Sequence, residues 1–572
     1  MENTDQLKFR PSHRKRKWKL SGFFVFTIIF VTALLWGTAA FWYYYPSTRQ
    51  TEVVPAGLLI NGEPFGEEHY RIIGESLFLR HDTAVDKLGA TLFHEPETNR
   101  VLLTTSDKII EMRTDSLTMY VNYSPVEIDI PVHLDNGIPY ISVDYLKPIY
   151  GFVSERYSNG IFSISDGSVP VLVVRAVKDT FLREHPFFRS SRIAPVMKDE
   201  ELFVIAEESG WYRVRSSLGI TGYADEKHCV FDRLIAAEDK PRELFDPPWK
   251  PTGGKINLTW DYMSKPKTDM SSYEPMPGLN VISPTWFHLL NGEGKVKSDG
   301  SLEYAEWAHA QGLQVWPLFD NSYDPDVTSP MLRSFDTRRQ VISQILIQAE
   351  LLGIDGVNID FENIYYEDKD YLTQFVRELS VMLHEQDLTV SMDVTVLSSN
   401  PNWSKVFDRP KLVEFVDYMA VMAYDEYWAS SPVSGPVSSI PWVRSSLDRI
   451  LDQIPRQKLL LGIPLYARIW EEIPQDDGKV KVSSKAYSMN GVRNILNDKD
   501  TVYSYDSEAM LNYAEYTEDG KTYKVWIEDE TSIRKRIEIM REYELAGIAS
   551  WRRGFEDDQT WETIRNLLEE RP

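Results

Sequence analysis

The sequence predicts a multidomain chain: an N-terminal transmembrane helix, an α+β repeat domain, a small β-barrel, and a C-terminal (β/α)8 barrel of the TIM type carrying an α+β insertion. Three observations carry that reading. A charge-free apolar run over residues 21–45 follows a basic flank. One pattern of strands, short helix and hairpin occurs twice between residues 55 and 168. From Lys255 onwards, apolar strand candidates alternate with amphipathic helical segments to the end of the chain.

At 572 residues the chain exceeds one ordinary core and implies several domains. Hydrophobic residues at 42% and aromatics at 12% argue for globular folding over disorder. The single cysteine, Cys229, excludes an intrachain disulfide, so the domains must be held by their cores. Net charge is −24 although the first 20 residues hold seven Lys/Arg against two Asp/Glu, so the remainder is more acidic still. Such a surface neutralises phosphates poorly, and no nucleic-acid partner is expected.

Residues 1–20 read as a basic cytoplasmic tail and 21–45, "SGFFVFTIIFVTALLWGTAAFWYYY", as a signal-anchor of membrane-spanning length. Trp42, Tyr43, Tyr44 and Tyr45 suit an interfacial belt. The expected partner of this segment is the cell membrane, crossed once, with the bulk of the chain outside and facing the cell wall. Thr38, Ala39 and Ala40 offer a cleavage site for a signal peptide, but the apolar run exceeds a usual signal core.

Between 55 and 168 each half gives strands, a short helix ending at Gly89 or Gly151, and a hairpin. "LLINGEPF" with "ESLFLRHDTAVDKLGATLFHEPETNRVLLTT", answered by "NGIPYISVDYLKPIYGFVSERYSNGIFSIS", resembles the repeat at the N-terminus of copper amine oxidases. That resemblance implies a stalk or binding module, and no His cluster supports a copper site. Residues 170–235, with "FLREHP", "DEELFVIAEESGWYRV" and "GITGYA", resemble a bacterial SH3-like domain. Such modules bind wall peptide or act as spacers, and a small barrel with Trp211 in its core is the plainer reading. The stretch 236–254 is Pro/Gly-rich and reads as a linker.

In the C-terminal region, 255–572, the eight strand candidates are "KINLTWDYM", "LNVISPTWFHL", "LQVWPLFDN", "GVNIDFENI", "LTVSMDVTV", "VDYMAVMAYDEYW", "KLLLGIPLYARIW" and "LAGIASWRRG". The interval 471–532 exceeds a normal connection and predicts a small inserted subdomain. In "DGVNIDFE", Asn358, Asp360 and Glu362 occupy alternate positions and share one face, whereas Val357, Ile359 and Phe361 face the helices. Acids at the C-terminal end of a barrel strand read as catalytic. Asp355 falls off that face and, with Gly356, supports the strand start.

"DGVNIDFE" resembles the signature of glycoside hydrolase family 18, and "MAYDEYW", "VWIEDETS" and Trp551 extend the likeness across the barrel. The resemblance implies a retaining mechanism in which the substrate's own N-acetyl group attacks the anomeric carbon. It implies Glu362 as general acid, Asp360 as partner of the acetamido N–H, and Tyr424 as donor to the acetamido oxygen. Met422 and Asp425 would shape the floor, and Trp551 would stack under the sugar. Asn358 departs from the family pattern, which has Asp there. The expectation is that Asn358 bonds Asp360, that Asp360 ionises more readily, and that Asn358→Asp alters the pH-rate profile.

Strand-end residues Asp261, Tyr262, Asp320, Asp393, Tyr466 and Arg468 are further candidates for sugar contact. Trp260, Trp286, Trp316, Trp428 and Trp470 are candidates for either stacking or core. The expected activity is hydrolysis of an N-acetylglucosamine-containing polysaccharide, peptidoglycan ahead of chitin, with no cofactor and no metal. The competing readings are a chitinase, or a cell-wall carbohydrate-binding protein on an inactive barrel.

Overall fold

In the computed structural model the described residues are 22–44, 57–114, 116–127, 131–237 and 254–569. The basic tail, and all of the 236–254 linker except 236, 237 and 254, lie outside them. A helix covers Gly22–Tyr44 within the expected span. Among the described residues, however, no helix is long and apolar enough to cross a membrane, so the expected transmembrane helix is not found.

By its internal contacts the chain divides into two units, one of residues 1–80 with 143–242, the other of 81–142 with 243–572. In the first, Leu58–Ile60 pairs in parallel with Phe162–Asp166, joining the two ends of the repeat. Residues 171–235 form a seven-stranded antiparallel sheet running from Arg192–Val196 at one edge to Cys229–Ile235 at the other. Val174, Leu182, Val196, Leu202 and Val214 fill its core, and Trp211 is buried edge-on against Phe188.

The second unit holds the barrel. Its strands are β1 (Ile256–Asp261), β2 (Val281–Leu289), β3 (Leu318–Asp320), β4 (Gly356–Asp360), β5 (Thr389–Thr395), β6 (Tyr418–Met422), β7 (Leu459–Pro464) and β8 (Gly547–Trp551). All neighbouring pairs are parallel, and β1 pairs with both β2 and β8, which closes the barrel. Ile256, Leu258, Trp316, Leu318, Tyr418 and Leu460 fill the lumen, with Trp316 and Tyr418 stacked at 5.7 Å. Val357, Ile359 and Phe361 instead pack outward, as the alternation predicts, and Phe361 stacks on Phe375 of helix Lys369–His384. At Gly356 a Cβ would stand 2.5 Å from the Thr389 carbonyl oxygen, so the start of β4 needs glycine for close approach to β5.

The insertion begins earlier than expected. "KLLLGIPLYARIW" is two strands: β7 ends at Pro464, and Tyr466–Pro474 joins a separate five-stranded sheet with Val480–Ser488, Ser504–Asp506, Leu511–Glu518 and Lys521–Ile527. The chain turns at Leu465, whose N–H bonds the Trp551 carbonyl at 2.7 Å.

Residues 92–127 form an antiparallel meander of five strands that packs on the barrel's helices. There Arg338 is fully buried, donating to both Glu378 carboxylate oxygens at 3.0 and 2.9 Å and lying 2.8 Å from Glu95. Gln374 donates to Thr104 at 3.1 Å, and Phe93 meets Tyr371 edge-on. The repeat's middle therefore shares the barrel's core, which a reading of 55–168 as one contiguous domain does not anticipate.

Candidate active site

Beyond the C-terminal ends of β4, β5 and β6 lies a cavity of about 780 Å³. Asp360, Glu362, Met422, Tyr424, Asp425 and Trp551 all line it. Asn358 does not; it is fully buried one layer below. Six of the seven residues singled out in the sequence thus share one cavity, and the seventh supports it.

Glu362 sits just past the end of β4, where the chain has left the sheet and can aim a side chain into the cavity. Its backbone is gripped by one side chain: Asn321 donates to the Glu362 carbonyl at 2.7 Å, and the Glu362 N–H donates to Asn321 Oδ1 at 3.0 Å. Burial first, then the charges of Asp360 and Asp425, push the Glu362 carboxyl well above the usual range. The shift is in the direction that favours the protonated form, which a general acid needs.

Asp360 is 4% exposed, and its carboxyl is pushed up to about 7 by burial and then by Asp320, its register partner on β3. One oxygen accepts from Tyr323 at 3.2 Å. The other, Oδ1, is buried and has no hydrogen-bond partner among the described residues. Loss of hydration in this enclosure opposes the charged form of Asp360.

Asn358 is placed differently from the expectation. Its Oδ1 accepts from Trp260 Nε1 at 2.8 Å and from Ser283 at 3.4 Å, and its Nδ2 donates to Ser391 Oγ at 3.0 Å and Asp393 Oδ1 at 2.9 Å. Its four hydrogen bonds run across the lumen to β1, β2 and β5, and none goes to Asp360.

Tyr424 is enclosed, and burial raises its hydroxyl well above the ordinary phenol value, with Asp393 the largest electrostatic contributor. It stays a neutral donor. Asp425 holds the rim by accepting from Tyr466 at 2.7 Å and Arg468 at 3.2 Å. Trp551 lies 5.7 Å from Trp260 at a tilt of 58°, giving two indoles at the base.

Of the further candidates, Trp260, Asp393, Tyr466 and Trp428 reach the cavity. Trp286, Trp316 and Trp470 are fully buried core. Asp261 is taken by Tyr273 and Tyr304, each at 2.7 Å, and Asp320 by His288 at 2.6 Å. Asp355 is structural, bridging His309 and the Val315 N–H at 2.8 Å each. Asn321 and Tyr323, both just after β3, carry no motif that singles them out in the sequence.

A closed (β/α)8 barrel with an acid shifted towards its protonated form, a second carboxyl and an aromatic floor at its C-terminal face defines a glycoside hydrolase. Residues 287–556 match the family model for Glycosyl hydrolases family 18, and residues 59–157 that for the Copper amine oxidase N-terminal domain. The C-terminal barrel is a family 18 glycosyl hydrolase domain. The match starts within β2, and the structure adds β1 to it.

The chain is similar to the uncharacterized glycosylase YvbX of Bacillus subtilis (strain 168), 24% identical over 300 residues that cover 50% of this chain and 84% of that protein. It is similar to the cortical fragment-lytic enzyme of Bacillus anthracis, 27% identical over 299 residues, 50% of this chain and 68% of that enzyme. Among solved structures it resembles the C-terminal domain of a chitinase candidate from Desulfitobacterium hafniense DCB-2, with TM-score 0.50 and 27% identity, covering 55% of this chain and 98% of that one.

The first module's name implies copper, but its residues do not fit such a centre. Among the described residues no three His, Cys, Asp or Glu side chains are grouped to hold a metal ion, and the rings of His81 and His94 stand 6.2 Å apart without a third donor.

Proposed function

We propose that this protein hydrolyses β-1,4 bonds in N-acetylglucosamine-containing glycan, peptidoglycan in preference to chitin, with retention of configuration through the substrate's own acetamido group. The observation that carries this is Asp360 Oδ1: a buried carboxyl oxygen without a hydrogen-bond partner among the described residues, in the cavity where burial raises the Glu362 carboxyl. An acetamido N–H supplies the missing donor.

In this reading Tyr424 donates to the acetamido carbonyl oxygen while Asp360 holds its N–H, which aligns the oxygen for attack on C1. Glu362 gives its proton to the leaving glycosidic oxygen. The cyclic oxazolinium that forms carries a positive charge, which Asp360 stabilises once ionised. Water then opens the ring at C1 with Glu362 taking its proton, which restores the acid and returns the original configuration. Trp551 and Trp260 provide the apolar base for the sugar.

Support for peptidoglycan comes from the likeness to cortical fragment-lytic enzymes and from Arg449, the one Lys or Arg among the residues lining an otherwise acidic cavity. A location of the barrel outside the cell is suggested by the uncharged run over 21–45 and its basic flank alone, since no described helix is long and apolar enough to span a membrane. Mass spectrometry of fragments released from peptidoglycan and from chitin oligomers tests the substrate. New N-acetylglucosamine reducing ends from the first are expected, with at least a hundredfold loss of rate in Glu362→Gln. Undiminished hydrolysis by that variant would end the assignment of the acid.

A further inference from the structure

The mechanism above leaves one buried carboxyl in the same cavity without a task. Asp393, on β5, is 1% exposed and lines the cavity beside Asp360 and Glu362. The β4–β5 ladder pairs Asn358 with Ser391 and Ile359 with Met392. One further step of that register sets Asp360 beside Asp393, at the adjacent-strand spacing of about 4.8 Å. On its other side Asp360 is paired with Asp320. Three acids therefore stand in one row across β3, β4 and β5.

They are not equivalent. Asp320 has a basic partner, His288 Nδ1 at 2.6 Å, whereas Asp393 has neutral donors, the amide of Asn358 at 2.9 Å from its Oδ1 and the indole of Trp260. Two carboxyls side by side at this depth cannot both ionise.

We propose that Asp393 is a positioning residue for the reaction, which shares one proton with Asp360 and so supplies from β5 the second acid of the pair that β4, with Asn358, does not contain. The exchange is balanced: the proton leaves one carboxyl oxygen as it joins the other, and the cluster's charge is unchanged. With the proton on Asp393, Asp360 is the ionised partner of the oxazolinium. With the proton on Asp360, the charge on Asp393 holds Glu362 in its acid form.

The inference rests on the acetamido role of Asp360 given above. Burial and then Asp360 raise the titration of Asp393 well above the carboxylate range, with Glu362 adding to it. The other titratable groups around the pair are Tyr424 after β6, and Asp320 and Tyr323 from β3 and its loop.

Asp393→Asn tests the proposal together with the exchange variant Asn358→Asp/Asp393→Asn, which returns a carboxyl to the same hydrogen-bonded unit. In Asp393→Asn the basic limb of the kcat/KM profile moves down by about one pH unit, because Glu362 loses a negative neighbour. Its kcat falls about tenfold. The exchange variant brings both back towards wild type. Asn358→Asp alone adds an acid and moves the limb up. An unmoved limb in Asp393→Asn, or an exchange variant that behaves like the single one, overturns the proposal.

Infrared difference spectra of the free protein around pH 6 judge the shared proton without any substrate. The protonated-carboxyl band weakens in Asp393→Asn and returns in the exchange variant, and a band indifferent to Asp393 refutes sharing. If the wild type cleaves no N-acetylated glycan, the reading of the reaction fails while the spectra still decide the pair.

Discussion

Trp260 donates its indole N–H to Asn358 Oδ1 at 2.8 Å across the barrel lumen, from β1 to β4. An indole can only donate, so the amide oxygen must face Trp260 and the amide N–H2 must face Ser391 and Asp393. One hydrogen bond thus fixes which end of Asn358 meets the acid. Trp260→Phe keeps an aromatic ring at the cavity base and removes the donor. The Asn358 oxygen then loses its shortest bond in a fully buried site, at a cost of about 1–3 kcal/mol. A fall in the barrel's Tm and a several-fold lower kcat are expected, measured by calorimetry and steady-state hydrolysis.

Asp360 gives a stability prediction with a definite sign. Its folded pKa, about 7, lies above its ordinary value, so between about pH 4 and 7 the folded state holds a proton that the unfolded chain has released. Stability from this group is therefore present at low pH and is lost as pH rises through 7. Asp360→Asn removes the titration. At pH 8 it should raise the barrel's unfolding free energy by a few kcal/mol, on the order of the three-unit shift, while hydrolysis collapses. At pH 4 the two proteins should melt together. A variant less stable than wild type at pH 8 would contradict the burial cost.

Asn321 acts on Glu362 through the backbone, binding its carbonyl and N–H at once. The residue is fully buried and also donates to Thr328 at 2.9 Å, so its geometry is locked. Asn321→Ala releases the loop that aims the acid. Because aim matters more in the transition state than in substrate binding, kcat should fall about tenfold or more with KM within about threefold. An equal rise in KM would mean that Asn321 serves binding instead.

What was legible in the sequence was what is local. Period-two alternation placed Asp360 and Glu362 on the inner face and Phe361 outside, and the eight apolar runs gave the barrel order. The internal repeat also put Gly89 and Gly151 at the ends of their helices, where both adopt positive φ. Illegible were contacts made only by closure of the barrel. Asn321 meets Glu362, and Asp393 meets Asn358, from neighbouring strands and with no motif of their own. The break at Leu465 was hidden because both strands are apolar, so their hydrophobicity runs on through the turn.

Arg338 tests whether the 92–127 meander belongs to the barrel's cooperative unit. Its guanidinium is fully buried between Glu378, on the barrel, and Glu95, on the meander. Arg338→Ala leaves two buried carboxylates without their cation, a loss of about 3–5 kcal/mol. Chemical denaturation should show that loss in the barrel's transition, and limited proteolysis should open 92–127 in the variant first. Retained midpoint and protection would show that the pair contributes little.

Arg449 bears on which glycan is cleaved. It stands in the last turn of helix Ile440–Ile450, exposed, its nitrogens donating to the Ser445 and Leu397 carbonyls at 3.1 and 3.3 Å. Its charge is thus held at the cavity wall without a carboxylate partner among the described residues, in the cavity that Asp425 and Glu426 also line. Chitin is uncharged, whereas peptidoglycan carries carboxylates on its lactyl ethers and peptide stems. A lone cation in an acidic cleft favours the second and offers the first nothing. Arg449→Glu should raise KM for peptidoglycan fragments about five- to tenfold at low ionic strength, leave neutral N-acetylglucosamine oligomers within about twofold, and lose its effect as salt rises. Parallel changes on both substrates would place Arg449 in the framework of the cavity and remove it from the selection of substrate.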